Sequence, residues 1–107
     1  TQALVSVDEQ QSVPDVFALN QNYPNPFNPS TQISFDIPEA SELVTLSVYN
    51  ILGQNINKLV SGSMNAGRYT QEWDATDELG SPVASGIYFY ELRSSNFVSR
   101  KKMLLIR

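Results

Sequence analysis

From Val16 onward the chain reads as short runs of alternating apolar and polar residues, each closed by turn formers. A period of two marks a strand with one face buried. In TQISFDI, Ile33, Phe35 and Ile37 fall on one face, Ser34 and Asp36 on the other, and Pro38 ends the run. LVTLSVYNI sets Val44, Leu46 and Val48 opposite Thr45, Ser47 and Tyr49. Gly53 marks a tight turn into QNINKLV, a predicted short strand carrying Ile56. The turn Asn65-Ala66-Gly67 precedes RYTQEW, where Tyr69, Gln71 and Trp73 share a face opposite Thr70 and Glu72. GIYFYELRS directs Tyr88, Tyr90 and Leu92 toward a core and Ile87, Phe89, Glu91 and Arg93 away from it. Ser94-Ser95-Asn96 then turns the chain into FVSRKKMLLIR. No segment has a convincing helical period. About seven short strands with turn chemistry at each junction predict an all-β fold, an antiparallel immunoglobulin-like β-sandwich.

Two stretches depart from alternation. Residues 1–15 are polar and acidic apart from Leu4, Val5 and Val7, and read as a linker or lead-in strand ahead of a domain over 16–107. In Tyr23-Pro24-Asn25-Pro26-Phe27-Asn28-Pro29 the prolines remove backbone donors and bias their neighbours to extended geometry. The expectation is a stiff loop across one edge, with Tyr23 and Phe27 pinning it to the core.

At 107 residues one domain with one core is expected. The chain has no Cys and no His, so a disulfide framework, a Ser-His-Asp or Cys-His triad, a zinc site of the usual kind and thiol redox chemistry are all excluded. A non-catalytic module without cofactor is therefore expected, and packing of Trp73, Tyr88 and the aliphatic strands must hold the sheets together. No stretch approaches the ~20 apolar residues that span a bilayer. The chain opens at Thr1 without a basic-then-apolar signal, which reads as a piece of a longer protein with any export signal upstream.

The net charge of −4 is unevenly spread: residues 1–50 carry six acids and no base, residues 51–107 five acids and all seven bases. Four of those bases, Arg100, Lys101, Lys102 and Arg107, lie in the last eight residues. A basic terminus on an acidic body is either a docking handle or a solvated edge strand protected by its lysines. No broad basic face is apparent, which argues against a nucleic-acid partner. Asp74, Asp77 and Glu78 form the densest carboxylate group and are weak calcium candidates. Their spacing fails the EF-hand template, since the sixth position from Asp74 is Leu79 rather than Gly. The aromatics Tyr49, Tyr69, Trp73, Phe89 and Phe97 could stack on sugar, but only Tyr49 and Phe89 fall on outward faces, too few for a platform.

From the Pro/Asn loop onward several motifs occur in a recognisable order: NQNYPNPFNPSTQISFDIPEAS, VYNILGQNI, NAGRYTQEWDATDELGSPVASGIYFYELRS and RKKMLLI. Over roughly residues 17–107 this set resembles the type A C-terminal sorting domain of type IX secretion cargo, a family of Bacteroidetes and related bacteria. That family is in turn related to the Ig-like module of flagellar hook-capping proteins. Its PNP element falls on Pro24, Asn25 and Pro26, its VYxxxG pattern on Val48, Tyr49 and Gly53, and its GxY with a downstream Lys on Gly86, Tyr88 and Lys101, with Lys102 adjacent.

The resemblance implies a domain that follows a Sec-exported enzyme or adhesin across the periplasm and is read by the outer-membrane translocon. In many cargoes a surface sortase-like protease then removes it and links the cargo to lipopolysaccharide. Expected partners are thus the translocon, such a protease and an upstream cargo domain, with the cell surface or medium as destination. The recognised element is expected in the tail, where Met103, Leu104, Leu105 and Ile106 follow Lys101 and Lys102 and could add to a partner's sheet edge. Two other readings stay open, a structural Ig-like spacer and a carbohydrate- or calcium-binding accessory module of a surface enzyme.

Overall fold

The structure is a computed structural model that describes residues 13–107. Residues 1–12 of the expected lead-in lie outside the described residues. Among the described residues seven strands follow in order: β1 (Ala18–Leu19), β2 (Thr31–Ile37), β3 (Ser41–Tyr49), β4 (Asn55–Met64), β5 (Gly67–Trp73), β6 (Gly86–Ser94) and β7 (Phe97–Leu105). They form a three-stranded sheet ordered β1-β2-β5 and a four-stranded sheet ordered β4-β3-β6-β7, with every pairing between strands antiparallel. The described residues contain no helix. The expected sandwich is therefore the observed one.

The alternation in sequence sets which face each strand buries. Ile33, Phe35 and Ile37 of β2, Val44, Leu46 and Val48 of β3, and Tyr90 and Leu92 of β6 are all buried between the sheets. Each such side chain contributes about 1.5–3 kcal/mol on leaving water. Trp73, at the end of β5, joins the layers: its ring meets Tyr88 edge-on at 5.4 Å and Phe27 at 5.8 Å. Its indole N–H donates to the Thr76 carbonyl at 2.8 Å, so the large ring is buried without an unmet donor.

Two expectations need correction. The strand predicted in QNINKLV is not short: β4 runs ten residues to Met64 as the outer strand of its sheet. Its pairing with β3 is interrupted by three register shifts, which bend an edge that a straight strand would leave open to other chains. Tyr23 does not pin the proline loop to the core, being 79% exposed against 2% for Phe27. Its main chain instead exchanges hydrogen bonds with Gln32 at 3.0 and 2.9 Å, so backbone pairing anchors that end while the ring faces water.

The hairpin joining β3 to β4 accounts for one motif. Val48 is core, Tyr49 lies on the outer face, and Gly53 sits at φ +82°, a conformation that strains residues with a Cβ. The Asn50 side-chain carbonyl accepts the N–H groups of Leu52 and Gln54 at 2.9 and 3.0 Å and sets the turn.

Candidate functional site

The residues singled out in the tail belong to β7 and the few positions after it. One long side of β7 pairs with β6 from Ser94↔Phe97 to Gly86↔Leu105. Its other side is an outer edge of the four-stranded sheet. There the proline loop lies along it as a strap. Gln21 donates its side-chain amide to the Lys102 carbonyl at 2.8 Å, and the Leu104 N–H donates to the Asn25 side-chain oxygen at 3.0 Å. The Phe27 N–H donates to the Leu104 carbonyl and the Ile106 N–H to the Phe27 carbonyl, at 3.0 and 2.9 Å, as a parallel bridge. The edge expected to add to a partner's sheet is thus occupied from Lys102 to Ile106 by the chain itself.

That arrangement assigns the PNP element. Pro24 and Pro26 offer the β7 edge no N–H, and between them the Asn25 side-chain oxygen accepts the Leu104 amide. The strap is held from behind by buried polar groups. The Asn22 amide donates to the Pro24 carbonyl at 3.1 Å and to the Thr31 hydroxyl at 2.9 Å, and Thr31 donates to the same carbonyl at 2.9 Å. The Tyr90 hydroxyl donates to the Asn20 carbonyl at 2.7 Å and accepts the Asn22 N–H at 2.8 Å. Asn25→Ala is expected to lower stability by only about 0.5–1.5 kcal/mol, because the lost bond is exposed. It should nonetheless speed amide exchange at Leu104 by roughly tenfold relative to the wild type. Unchanged exchange at Leu104 by NMR would remove Asn25 as the edge cap.

Alternation along β7 divides the candidates. Met103 and Leu105 are buried core residues at 1% and 0% exposure, so in this fold they present no surface to a partner. Lys101 is paired in register with buried Tyr90 and so leaves β7 on its inner side, while Lys102 is paired with Phe89 and faces outward. Leu104 and Ile106 are exposed. Gly86 opens β6 at φ +150°, and Tyr88 is buried with its hydroxyl donating to the Ala84 carbonyl at 2.6 Å. Burial raises the Tyr88 pKa, with Arg107 opposing it. The GxY motif is in this respect structural.

The basic residues of the tail do not act as one cluster. The Arg107 guanidinium donates to the carbonyls of Val83 and Ala75 at 2.6 and 2.8 Å, tying the last residue to the loop before β6. Arg100 lies 5.2 Å from the centre of the Tyr49 ring and 5.9 Å from that of Phe89. It also pairs with Glu91 at 3.2 Å, which Arg93 approaches from the other side at 3.4 Å. Glu91, expected on the outward face, lies there but is only 8% exposed, covered by its two arginines. On the outer face of β6 and β7 the cations are Arg93, Arg100 and Lys102, and Glu91 is the single acid. Ile87, Phe89, Val98 and Leu104 fill the positions between them.

The three acids weighed for calcium do not converge. Asp77 accepts the N–H groups of Leu79 and Ser81 at 2.9 and 3.0 Å, Asp74 accepts the Thr76 hydroxyl, and Glu78 accepts the Lys58 N–H at 2.8 Å. Asp74 and Asp77 organise local chain, as Asp does in turns, and Glu78 ties the loop to β4. Among the described residues no group of three or more His, Cys, Asp or Glu side chains could hold a metal ion. Nor is any helix among them long and apolar enough to cross a membrane.

Sequence reasoning missed Asn22, Tyr90 and Asn25 as a connected unit. A signal existed for Tyr90, whose period placed it in the core although its hydroxyl needs a partner there. None existed for Asn25, whose partner lies 79 residues away.

A two-layer antiparallel sandwich, closed by a strap that pairs in parallel with its last strand, is an immunoglobulin-like domain. The chain belongs to the FlgD Ig-like domain family, whose model matches residues 20–96. No curated protein matches it. Among solved structures it is similar to dimeric latent PorU from Porphyromonas gingivalis, at TM-score 0.65 and 23% identity over 89% of this chain and 10% of that one. It is also similar to FlgD from P. aeruginosa, at TM-score 0.54 and 25% identity over 70% of this chain and 57% of that one. A third likeness is to PorZ, an essential bacterial surface component of the type IX secretion system of P. gingivalis, at TM-score 0.55 and 19% identity over 87% of this chain and 12% of that one. The likenesses to PorU and PorZ establish shared fold. The chain spans about a tenth of PorU and PorZ and somewhat over half of that FlgD.

Proposed function

We propose that this domain is a non-catalytic sorting and anchoring module that directs an upstream secreted protein through the type IX outer-membrane translocon to the cell surface or medium. The observation that carries the reading is the ordered set of sorting-domain motifs, from the PNP strap to the Lys-bearing last strand. The PNP element and the Lys-bearing strand meet in space along β7. Fold similarity to PorZ, a surface component of that secretion system, supports it. The side chains presented for recognition are then Lys102, Leu104 and Ile106, with Met103 and Leu105 holding the strand in place. Export through the periplasm, a surface sortase-like protease as second partner and the absence of cofactor chemistry belong to the same reading.

Membership of the FlgD Ig-like family favours a second reading, a structural Ig-like spacer with no sorting role. A secretion assay separates the two. The chain is fused behind a Sec-exported fluorescent reporter, in a host with type IX secretion and in its translocon-deficient mutant. A truncation ending at Ser99 is a poor control, because it also removes Met103 and Leu105 from the core. The combined change Lys102→Ala, Leu104→Ala and Ile106→Ala spares that core. Reporter on the surface or in the medium of the competent host alone, reduced roughly tenfold or more by the triple change, is the expected result. Equal periplasmic retention in both hosts, with the domain folded, would leave the spacer reading.

A further inference from the structure

We infer that the outer face of β6 and β7, together with the rim of the strap, is a docking surface for an acidic polypeptide segment carrying an apolar anchor residue. The inference goes beyond the sorting reading and does not depend on it, since any protein partner could supply such a segment.

Charge is the first ground. The chain is acidic, at −4 overall, yet three of its seven bases, Arg93, Arg100 and Lys102, project from this one face. The single acid there, Glu91, is already paired with both arginines. The face therefore has a net positive charge that attracts anionic groups and repels cationic ones. Arg100 is held against the Tyr49 and Phe89 rings, which restricts its motion before a partner arrives and reduces the entropy lost on binding.

Shape is the second. Beside Lys102 lies an open hollow of about 190 Å³, lined by Asn25, Ile87, Lys102, Met103 and Leu104. Ile87 and Leu104 remain 41% and 37% exposed, so apolar surface and cation meet at one spot. A bare polyanion would use the charges and leave this apolar surface wet. A peptide with a leucine-sized side chain beside a carboxylate uses both, the side chain in the hollow and the carboxylate on Lys102. Because the strap already pairs the β7 edge from Lys102 to Ile106, the partner meets side chains on the face and does not extend the sheet there.

The test uses the whole chain with isotope-labelled amides and a short synthetic peptide carrying one Leu flanked by Glu residues. Comparison peptides replace the Leu by Ser or the Glu residues by Lys. Phosphatidylglycerol vesicles and a sulfated glycan serve as other anionic probes. Saturable shifts centred on Ile87, Lys102 and Leu104 are expected with the Glu/Leu peptide. Binding should weaken about tenfold or more with the Ser peptide and in the variants Lys102→Glu and Ile87→Ser, both at exposed positions. It should vanish with the Lys peptide and fall as salt rises. Thermal melts report whether each variant is folded, and Ile87→Ser keeps the question open to test if Lys102→Glu disturbs the strap. The proposal is overturned if the Glu/Leu peptide does not saturate, if the folded variants bind it equally, or if vesicles or glycan bind this face more tightly than the peptide.

Discussion

Trp73→Ala is expected to remove most of the domain's stability. The indole is 1% exposed and touches Tyr88 from the opposite sheet and Phe27 from the strap, so its loss opens a cavity where three parts of the fold meet. Replacing a buried Trp by Ala costs about 3–5 kcal/mol, against about 5–15 kcal/mol for the whole of a small domain. The surroundings cannot collapse to fill the space without moving β6 or the strap. The urea midpoint, followed by circular dichroism because the chain has only this one Trp, should fall by at least about 1 M. Trp73→Phe keeps a ring in place and loses the bond to the Thr76 carbonyl, so it should retain a large part of that stability. If Trp73→Ala unfolds within about 0.3 M of the wild type, the ring is not the joint between the layers.

Tyr90→Phe is expected to lower stability by about 1–3 kcal/mol while leaving core volume nearly unchanged. The hydroxyl donates to the Asn20 carbonyl and accepts the N–H of buried Asn22, and a phenyl ring can do neither. The same group gives a pH signature. Burial pushes the Tyr90 pKa up from 10.0 to about 12, partly offset by the Asn22 N–H. Below the unfolded value both states are protonated and stability does not depend on this group. Between about pH 10 and 12 the unfolded chain gives up the proton first, so stability falls as pH rises, at a slope approaching about 1.4 kcal/mol per pH unit inside that window. Tyr88, whose pKa is raised in the same direction, adds to the fall. The difference between wild type and Tyr90→Phe, measured by denaturant unfolding from pH 8 to 12, isolates Tyr90, and it should shrink toward high pH. Parallel profiles for the two proteins would show that the hydroxyl is not held in the protonated form by the fold.

The strap gives the PNP element, which carries no ionisable group, a structural consequence. Asn25 and Phe27 fix the edge and the end of β7, and that in turn sets which tail residues face water. Loosening the strap would free an edge able to pair with other chains, so its hydrogen bonds act against unwanted association as well as for stability.

Faces were legible in the sequence because a strand's side chains alternate whatever lies beside it. Ile33, Phe35, Ile37, Val44, Leu46, Val48, Tyr90 and Leu92 were all readable as core from period two alone, and all are buried. The turn at Gly53 was readable because a left-handed backbone demands its own residue type. Tyr23 was misread because an aromatic next to proline gives no sign of whether its ring or its main chain does the anchoring.

By itself, then, the sequence determined the all-β class, the sandwich and the inward set of core residues. Only the tertiary structure decided what covers the β7 edge, which tail residues remain available, and how the bases are distributed. Arg107 goes to loop carbonyls, Arg100 to aromatic rings and Glu91, and Lys102 to the rim of a hollow. The reason is that alternation reports a residue's side of its own strand. Strap and edge lie 77 to 81 residues apart along the chain, and their hydrogen bonds exist only once both sheets have closed around a common core.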